Sequence, residues 1–311
     1  MKKISVILPT YNEEDNVIPL SKEIVNIFNN ELNNYDYEII FTDNNSIDST
    51  REKIISLCQE NKNIKAIFNA KNFGQFRSPF NAMINANGDC VILMVSDFQD
   101  PPKIIVDFVR EWESGYKIVI GIKNKSKENL IMRFIRSLYY KLMKYISDIE
   151  HIEHFTGTGL YDKSFVKTIS VLDDPDPYIR GIVSELGYKI KKINYEKQNR
   201  KAGKSKNNFF TLYNIAMISI TNYSKIVLRL ATMIGFLFSF LSFIFGLIYF
   251  IYKIIYWHSF NVGIAPLILG VFFIGSIQLF FLGLIGEYIV NINDRLMKRP
   301  LVIEEKRINF D

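Results

Sequence analysis

Three short polar clusters stand out by residue type and position, because each directly follows an apolar run. Thr10-Tyr11-Asn12-Glu13-Glu14 follows Ile4–Leu8, Asp43-Asn44-Asn45-Ser46-Ile47-Asp48-Ser49-Thr50 follows Glu38–Phe41, and Asp97-Phe98-Gln99-Asp100-Pro101-Pro102 follows Val91–Val95. Carboxylates and side-chain amides are hard oxygen donors. An Asp and a Gln two residues apart, Asp97 and Gln99, offer the partial shell that a small divalent cation completes with water and substrate phosphates. Taken singly, Asp-rich turns mostly order loops and cap helices. In series on successive strand ends they point to the mouth of a ligand site. The sequence holds no Walker loop and no GxGxxG, so the ordinary phosphate-cradling loops are excluded.

The elements that must position these clusters follow from the apolar pattern. Ile4–Leu8, Glu38–Phe41, Ile64–Phe68, Val91–Val95 and Ile118–Ile120 predict strands, the first stopped by Pro9. Val17, Leu20, Ile24, Ile27 and Phe28 recur at helical spacing over Asn16–Phe28, and a Ser/Asp start signal predicts a second helix over Ser49–Cys58. Strands alternating with helices predict a mostly parallel, doubly wound α/β sheet. Ligands of such sheets bind outside the carboxyl ends of the strands, where the three clusters fall.

With 311 residues, 48% of them hydrophobic and including 25 Phe and 17 Tyr, the chain is no disordered polymer. Its net charge of +6 is too mild to read as a nucleic-acid footprint. Two cysteines, Cys58 and Cys90, cannot build a disulfide framework and read as small buried apolar groups. From Leu230 to Tyr252 there is no charged residue, and a second uncharged stretch has its best spanning window over Ile264–Gly286. Each is long enough for a hydrocarbon core of about 30 Å, so two transmembrane helices are expected. Lys225 and Arg229 precede the first, and Arg295, Lys298, Arg299, Lys306 and Arg307 follow the second. The positive-inside rule then puts both termini and the large N-terminal domain in the cytoplasm of a multi-pass protein of the cell membrane. Met1-Lys2-Lys3 precedes only a short apolar run and reads as no signal peptide. The expected organisation is a catalytic domain over 1–206, an interfacial juxtamembrane helix over 207–228, a transmembrane hairpin over 229–290 and a cytoplasmic tail over 291–311.

The strings SVILPTYNEEDNV, DNNSIDST, NFGQF and SDFQDPP, in that order and spacing, resemble family 2 glycosyltransferases with a nucleotide-sugar-binding GT-A fold. Within them the pattern is most similar to the polyprenyl-phosphate sugar transferases, which include dolichyl-phosphate mannose synthases and bactoprenol glucosyl transferases. The likeness continues through RGIVSELGYKI and RKAGKSK into the two C-terminal apolar segments. It implies transfer of a monosaccharide, with inversion, from a nucleotide sugar to a polyprenyl phosphate such as undecaprenyl phosphate on the cytoplasmic face of the bilayer. UDP-glucose or UDP-GlcNAc is the expected donor. It also implies roles. Pro9, Tyr11 and Glu13 would line the nucleotide pocket and Asp43 would contact base or ribose. Asp97 and Gln99 would hold Mg2+ or Mn2+ and the diphosphate, and Arg200, with Lys206 beside it, would neutralise the leaving group. A flippase, a downstream transferase and a second copy of the chain are the partners such an enzyme would have.

The chain departs from that pattern in places. Val95 stands where the family's first metal-motif Asp is, Asn44 and Asn45 replace the Asp and Gly of its DDGS-like turn, and Gly157 falls where relatives carry an acidic residue. A phosphate acceptor makes a missing base tolerable, because a lipid monophosphate is already largely a dianionic nucleophile at neutral pH. The harder task is bringing two anions together. Lys123, Arg133, Arg136, Lys141 and Lys144 cluster around an apolar-faced helix expected over Asn129–Ser147. Arg133, Arg136 and Ser137 are the candidates for gripping the acceptor phosphate; a helix lying on anionic headgroups explains the same residues. Two other functions share part of this pattern. A processive polysaccharide synthase needs more membrane helices and a QxxRW motif that is absent. A catalytically weak membrane subunit supporting a flippase or another transferase would share Val95, Asn44 and Gly157.

Overall fold

The computed structural model describes residues 1–123, 145, 147, 149, 152–172, 174–198, 217, 226–256 and 264–310. Its centre is an eight-stranded sheet. In chain order the elements are β1 (Lys3–Thr10), α1 (Val17–Asn30), β2 (Asp36–Asp43), α2 (Thr50–Glu60), β3 (Ile64–Asn69), α3 (Gly74–Ile84), β4 (Cys90–Leu93), α4 (Ile104–Glu113) and β5 (Ile118–Lys123). They continue with β6 (Phe155–Asp162), α5 (Lys163–Ser170), α6 (Ile179–Glu185), β7 (Ile190–Tyr195), α7 (Ile226–Ile255), α8 (Ile264–Leu296) and β8 (Glu304–Ile308).

The strand order is β7-β5-β6-β4-β1-β2-β3-β8. The four strands β4, β1, β2 and β3 are parallel, as the alternating pattern requires, and β5 also runs parallel to β7. The sheet is mostly parallel, as expected, but mixed: β6 lies antiparallel to both β4 and β5, and β8 antiparallel to β3, against six strands that share one direction. Alternate side chains divide the core in two. Ile4, Val6, Leu8, Ile39 and Phe41 pack with α1, α2 and α4 on one face, while Ile7, Ile40, Ile67 and Val91 pack with α3, α5 and α6 on the other.

Pro9 does not stop β1. The Ile7 carbonyl faces β4, accepting the Met94 N–H at 3.2 Å, so Pro9 two residues on faces the same side. β4 pairing has already ended at Ile7 and Leu93, and a missing N–H there leaves no ladder partner unmet. The Pro9 carbonyl instead accepts the Ser96 hydroxyl at 2.7 Å.

The C-terminal half differs from expectation in two respects. The boundary expected at 290 falls inside α8, which runs on to Leu296, and the expected tail contains β8, an edge strand of the sheet. Among the described residues, one helical stretch, Phe273–Leu296, is long and apolar enough to cross a membrane, and none of its window is buried. It overlaps the window expected from sequence over residues 273–286 and runs on to Leu296. α7 contributes a shorter apolar stretch, Leu228–Phe238.

Candidate active site

The three polar clusters meet because β4, β1 and β2 are parallel neighbours, which puts the loops after them side by side. Cross-loop hydrogen bonds then fix them. The Asn44 N–H donates to the Thr10 carbonyl at 2.9 Å and the Asn12 N–H to Ser46 Oγ at 2.8 Å. Ile47 N–H donates to Asn12 Oδ1 at 2.9 Å and Glu13 N–H to Thr50 Oγ1 at 2.8 Å. Asn12 adopts φ +54, a left-handed conformation that Asn tolerates better than most residues. Tyr11 and Glu13 are half-buried beside it, and Asn16 Nδ2 donates to Glu13 Oε2 at 2.7 Å.

Asp43 is fully buried at the end of β2. One carboxylate oxygen accepts the Ser46 hydroxyl. The other accepts the Ser46 N–H at 3.1 Å and Arg51 Nε at 2.8 Å. Arg51 reaches further, donating through Nη2 to the Asn69 carbonyl at 3.0 Å and to Glu305 Oε2 at 2.9 Å. Burial works against its charge, but Asp43 and Glu305 hold the guanidinium more firmly protonated than usual. Asp43 thus shapes its own turn at the carboxyl end of β2.

Asn44 explains one departure from the family pattern. Its Nδ2 donates to the Gly74 carbonyl at 3.0 Å, while its Oδ1 accepts Asn69 Nδ2 at 3.0 Å and the Phe73 N–H at 3.3 Å. An aspartate could accept these bonds but could not donate to Gly74. The partner is the NFGQF segment, where Gly74 begins α3 at φ +85, backbone that a side chain would strain. Asn45 sits at φ +63 in place of the family's glycine, again an asparagine-tolerant conformation.

After β4, Asp97 is 5% exposed and its Oδ1 accepts the Gln99 N–H at 3.1 Å, closing a tight Asx turn. Phe98, between the two, is held at φ +60 with its ring in the core, the sort of strain that persists only where surroundings over-determine it. Asp100 is different in kind. It is fully buried and accepts from Thr158 Oγ1 on one oxygen, and from Tyr195 Oη at 2.6 Å and Lys123 Nζ at 3.0 Å on the other. Burial first, then Asp100, push the Tyr195 phenol well above its ordinary pKa, so it stays a donor. Next to it the Gln198 N–H donates to the Gln99 carbonyl at 3.0 Å, tying the exit of β7 to the Asp97 loop.

Among the described residues no three of His, Cys, Asp and Glu gather into a metal cage. With Asp100 committed to three internal donors, Asp97 and Gln99 are the oxygen donors the third cluster offers. That set fits Mg2+ or Mn2+ completed by a diphosphate, not a cation held by protein alone. Val95 supplies no carboxylate. Gly157, in β6 at φ +101, holds a backbone conformation that an acidic side chain would strain, and a Cβ there would lie a tight 3.3 Å from Ile179 Cγ2. Arg133, Arg136, Ser137, Arg200 and Lys206 lie outside the described residues. The sequence reading missed Arg51, Asp100 and Glu305. Asp100 had a signal, adjacency to Gln99; Glu305 had none, being 254 residues from Arg51.

Residues 5–170, more than half the chain, match the model of glycosyl transferase family 2. The chain belongs to that family. It is a glycosyltransferase, with the GT-A-like mixed sheet described above. Over its whole length it is similar to other family 2 proteins. It is 30% identical over 302 residues to a prophage bactoprenol glucosyl transferase homologue of Escherichia coli K12, covering 97% of this chain and 98% of that one. It is likewise 30% identical over 306 residues to the bactoprenol glucosyl transferase of Shigella phage SfX, covering 98% and 99%. Among solved structures, glucosyl-3-phosphoglycerate synthase of Mycobacterium tuberculosis, crystallised with Mn2+, UDP and phosphoglyceric acid, superposes with a TM-score of 0.50 at 16% identity, covering 71% of this chain and 76% of that one. Mannosyl-3-phosphoglycerate synthase of Rubrobacter xylanophilus gives 0.50 at 15%, covering 75% of each. Both are likenesses of fold.

Proposed function

We propose that this glycosyltransferase moves one monosaccharide from a nucleoside-diphosphate donor to a polyprenyl phosphate at the cytoplasmic face of a membrane. The observation that carries the reading is the full-length likeness to bactoprenol glucosyl transferases, which includes the exposed apolar helix Phe273–Leu296 as well as the sheet. A lipid acceptor and an apolar helix on the same chain belong together, because the acceptor phosphate lies at the bilayer surface. In this reading α7 and α8 form a two-helix membrane hairpin with both termini cytoplasmic, and a flippase carries the product across.

In the reaction an acceptor phosphate oxygen forms a bond to the anomeric carbon as the bond to the donor diphosphate breaks. The electron pair leaves with the nucleoside diphosphate, and the configuration inverts. Pro9, Tyr11, Glu13 and the Asp43 turn receive the nucleotide. Asp97 and Gln99 face the diphosphate and would hold Mg2+ or Mn2+, which supplies positive charge to the leaving group when bound. Arg200 and Lys206 add to that charge, and Arg133, Arg136 and Ser137 hold the acceptor phosphate. No general base is required of an acceptor that is already anionic, consistent with Gly157. UDP-glucose is the leading donor and UDP-GlcNAc the second.

The test incubates purified full-length protein with undecaprenyl phosphate, Mg2+ or Mn2+ and a panel of labelled nucleotide sugars, and counts label entering the organic phase. Transfer from one donor is expected, and Asp97→Asn should lower kcat by about a hundredfold or more while still inserting in membranes. Wild-type turnover in that variant would refute the role of Asp97. No transfer from any donor by folded protein would refute the reading itself.

A further inference from the structure

Three features lie outside the site as the sequence presents it: the buried Glu38 cluster at the far end of the sheet, the cavity where α8 meets the Ser170–Pro175 loop, and β8. The first is a buried structural ion pair between Glu38 and Lys65. The second mixes Asp174 and Asp294 with Arg295, Lys298 and Arg299, and so shows no net preference for an anion or a cation. β8 leads to the donor pocket.

The strand is supplied by chain that returns from the long helices. Ala66, Ile67, Phe68 and Asn69 of β3 pair with Ile308, Arg307, Lys306 and Glu304, and the Ala70 N–H donates to the Ile303 carbonyl at 2.9 Å. Its ends are pinned by side chains. Asn81 Nδ2 donates to Glu304 Oε1 at 2.7 Å, Arg307 Nη2 to Asn85 Oδ1 at 3.0 Å, and Asn309 Nδ2 to the Cys58 and Ile64 carbonyls at 2.8 and 2.7 Å. Val302 is buried. None of these bonds involves Glu305. Its carboxylate, 56% exposed, reaches across to Arg51, which holds the buried Asp43. Since the strand is fastened elsewhere, and an exposed ion pair adds little to global stability, the Glu305–Arg51 contact acts chiefly on where Arg51, and hence the Asp43 turn, is held.

We infer that Arg51 and Glu305 are positioning residues for the nucleotide, so that the C-terminal strand is a working part of the donor pocket. The inference rests on the nucleotide-sugar reading above. It makes donor binding depend on the chain having closed back from the membrane helices onto the sheet.

The test uses full-length protein in lipid nanodiscs. Calorimetric titration with UDP, and in parallel GDP, in the presence of Mg2+ is combined with donor KM, kcat and thermal melting. Glu305→Gln should weaken nucleotide binding and raise donor KM by about two- to fivefold, with kcat and melting unchanged. Arg51→Lys, which keeps charge but loses the forked reach, should weaken binding by about tenfold. The double variant should bind no worse than Arg51→Lys alone, because Glu305 acts through Arg51. Lys306→Ala on the same strand should match wild type. Nucleotide binding unchanged in Glu305→Gln and Arg51→Lys, additive losses in the double variant, or losses that track melting would overturn the inference while leaving the reaction intact. Wild-type protein that binds neither UDP nor GDP would overturn both.

Discussion

At Asn44 a single amide donates to the Gly74 carbonyl while accepting from Asn69 and from the Phe73 N–H, joining the ends of β2 and β3 to the start of α3. The same turn places Asp43 fully buried one residue away. Substituting Asn44→Asp removes the donor to the Gly74 carbonyl and adds a second carboxylate beside the first, so that bond is lost and two like charges meet. The expected loss is about 1–3 kcal/mol, seen as a lower melting temperature of the detergent-solubilised protein together with weaker nucleotide binding. A variant as stable as wild type would mean that water replaces the amide. The two cysteines stand at the opposite extreme of reactivity. Burial pushes the Cys58 thiol up to about 12 and raises Cys90 as well, so both stay protonated, as their apolar setting in the sequence implied.

Among the elements, the edges of the sheet are set by sequence-distant partners. β3 follows β2 in the parallel series, and without β8 its outer ladder would be open to other chains. Five residues of β8, the buried Val302 and the packed side chains of Leu301 and Phe310 cover it. Ending the chain at residue 300 removes all of them. Burial of Val302 alone is worth roughly 1.5–3 kcal/mol, and the full deletion should lower the melting temperature by about 5 °C or more. It should also raise light scattering on heating, as the bare β3 edge pairs between molecules. Melting identical to the full chain would show that β8 lies on the sheet without stabilising it. At the other edge β7 ends beside the Asp97 loop, with Tyr195 on Asp100 and Gln198 on Gln99.

For the molecule as a whole, the two ends of the parallel strands do different work. The carboxyl ends carry the mouth, and the amino ends carry a buried charge. Glu38 is fully buried, with one oxygen accepting Ser5 Oγ at 2.6 Å and the Asn87 N–H at 2.8 Å and the other paired to Lys65 at 2.9 Å. Burial alone would raise its pKa, but the bonds from Ser5, Lys65 and Asn87 outweigh it and lower the value below the ordinary 4.5. A depressed carboxylate stabilises the fold fully above its unfolded pKa, and that contribution is lost as pH falls through the folded one. The wild-type melting temperature should therefore hold from pH 7 to about 5 and fall below about 4.5. Glu38→Gln should be less stable at pH 7 by about 3 kcal/mol, since Lys65 loses its partner, and should show a shallower fall in acid. A wild-type curve flat to pH 3 would refute this account.

The order of the first five strands, the amphipathic α1 and α2 and the placing of three polar clusters on strand ends were all legible in the chain, because burial imposes a period on side chains and Pro, Gly, Asn and Asp mark where backbone must turn. The family motifs gave Asp97, Gln99 and Asp43 their neighbourhood in the same way, since each lies within a few residues of its strand. What the chain could not declare was anything made by contacts between distant segments. Pro9 looked like a terminator until β4 was seen to end beside it. Asn44 reads as a lost carboxylate until the Gly74 carbonyl is found to take its amide N–H. The last residues read as a tail until β3 was found to lack a partner on its outer edge. Local spacing fixes which atoms are available and roughly where each strand ends. Hydrogen-bond partners separated by tens to hundreds of residues are chosen only when the sheet assembles, because they depend on which strands become neighbours.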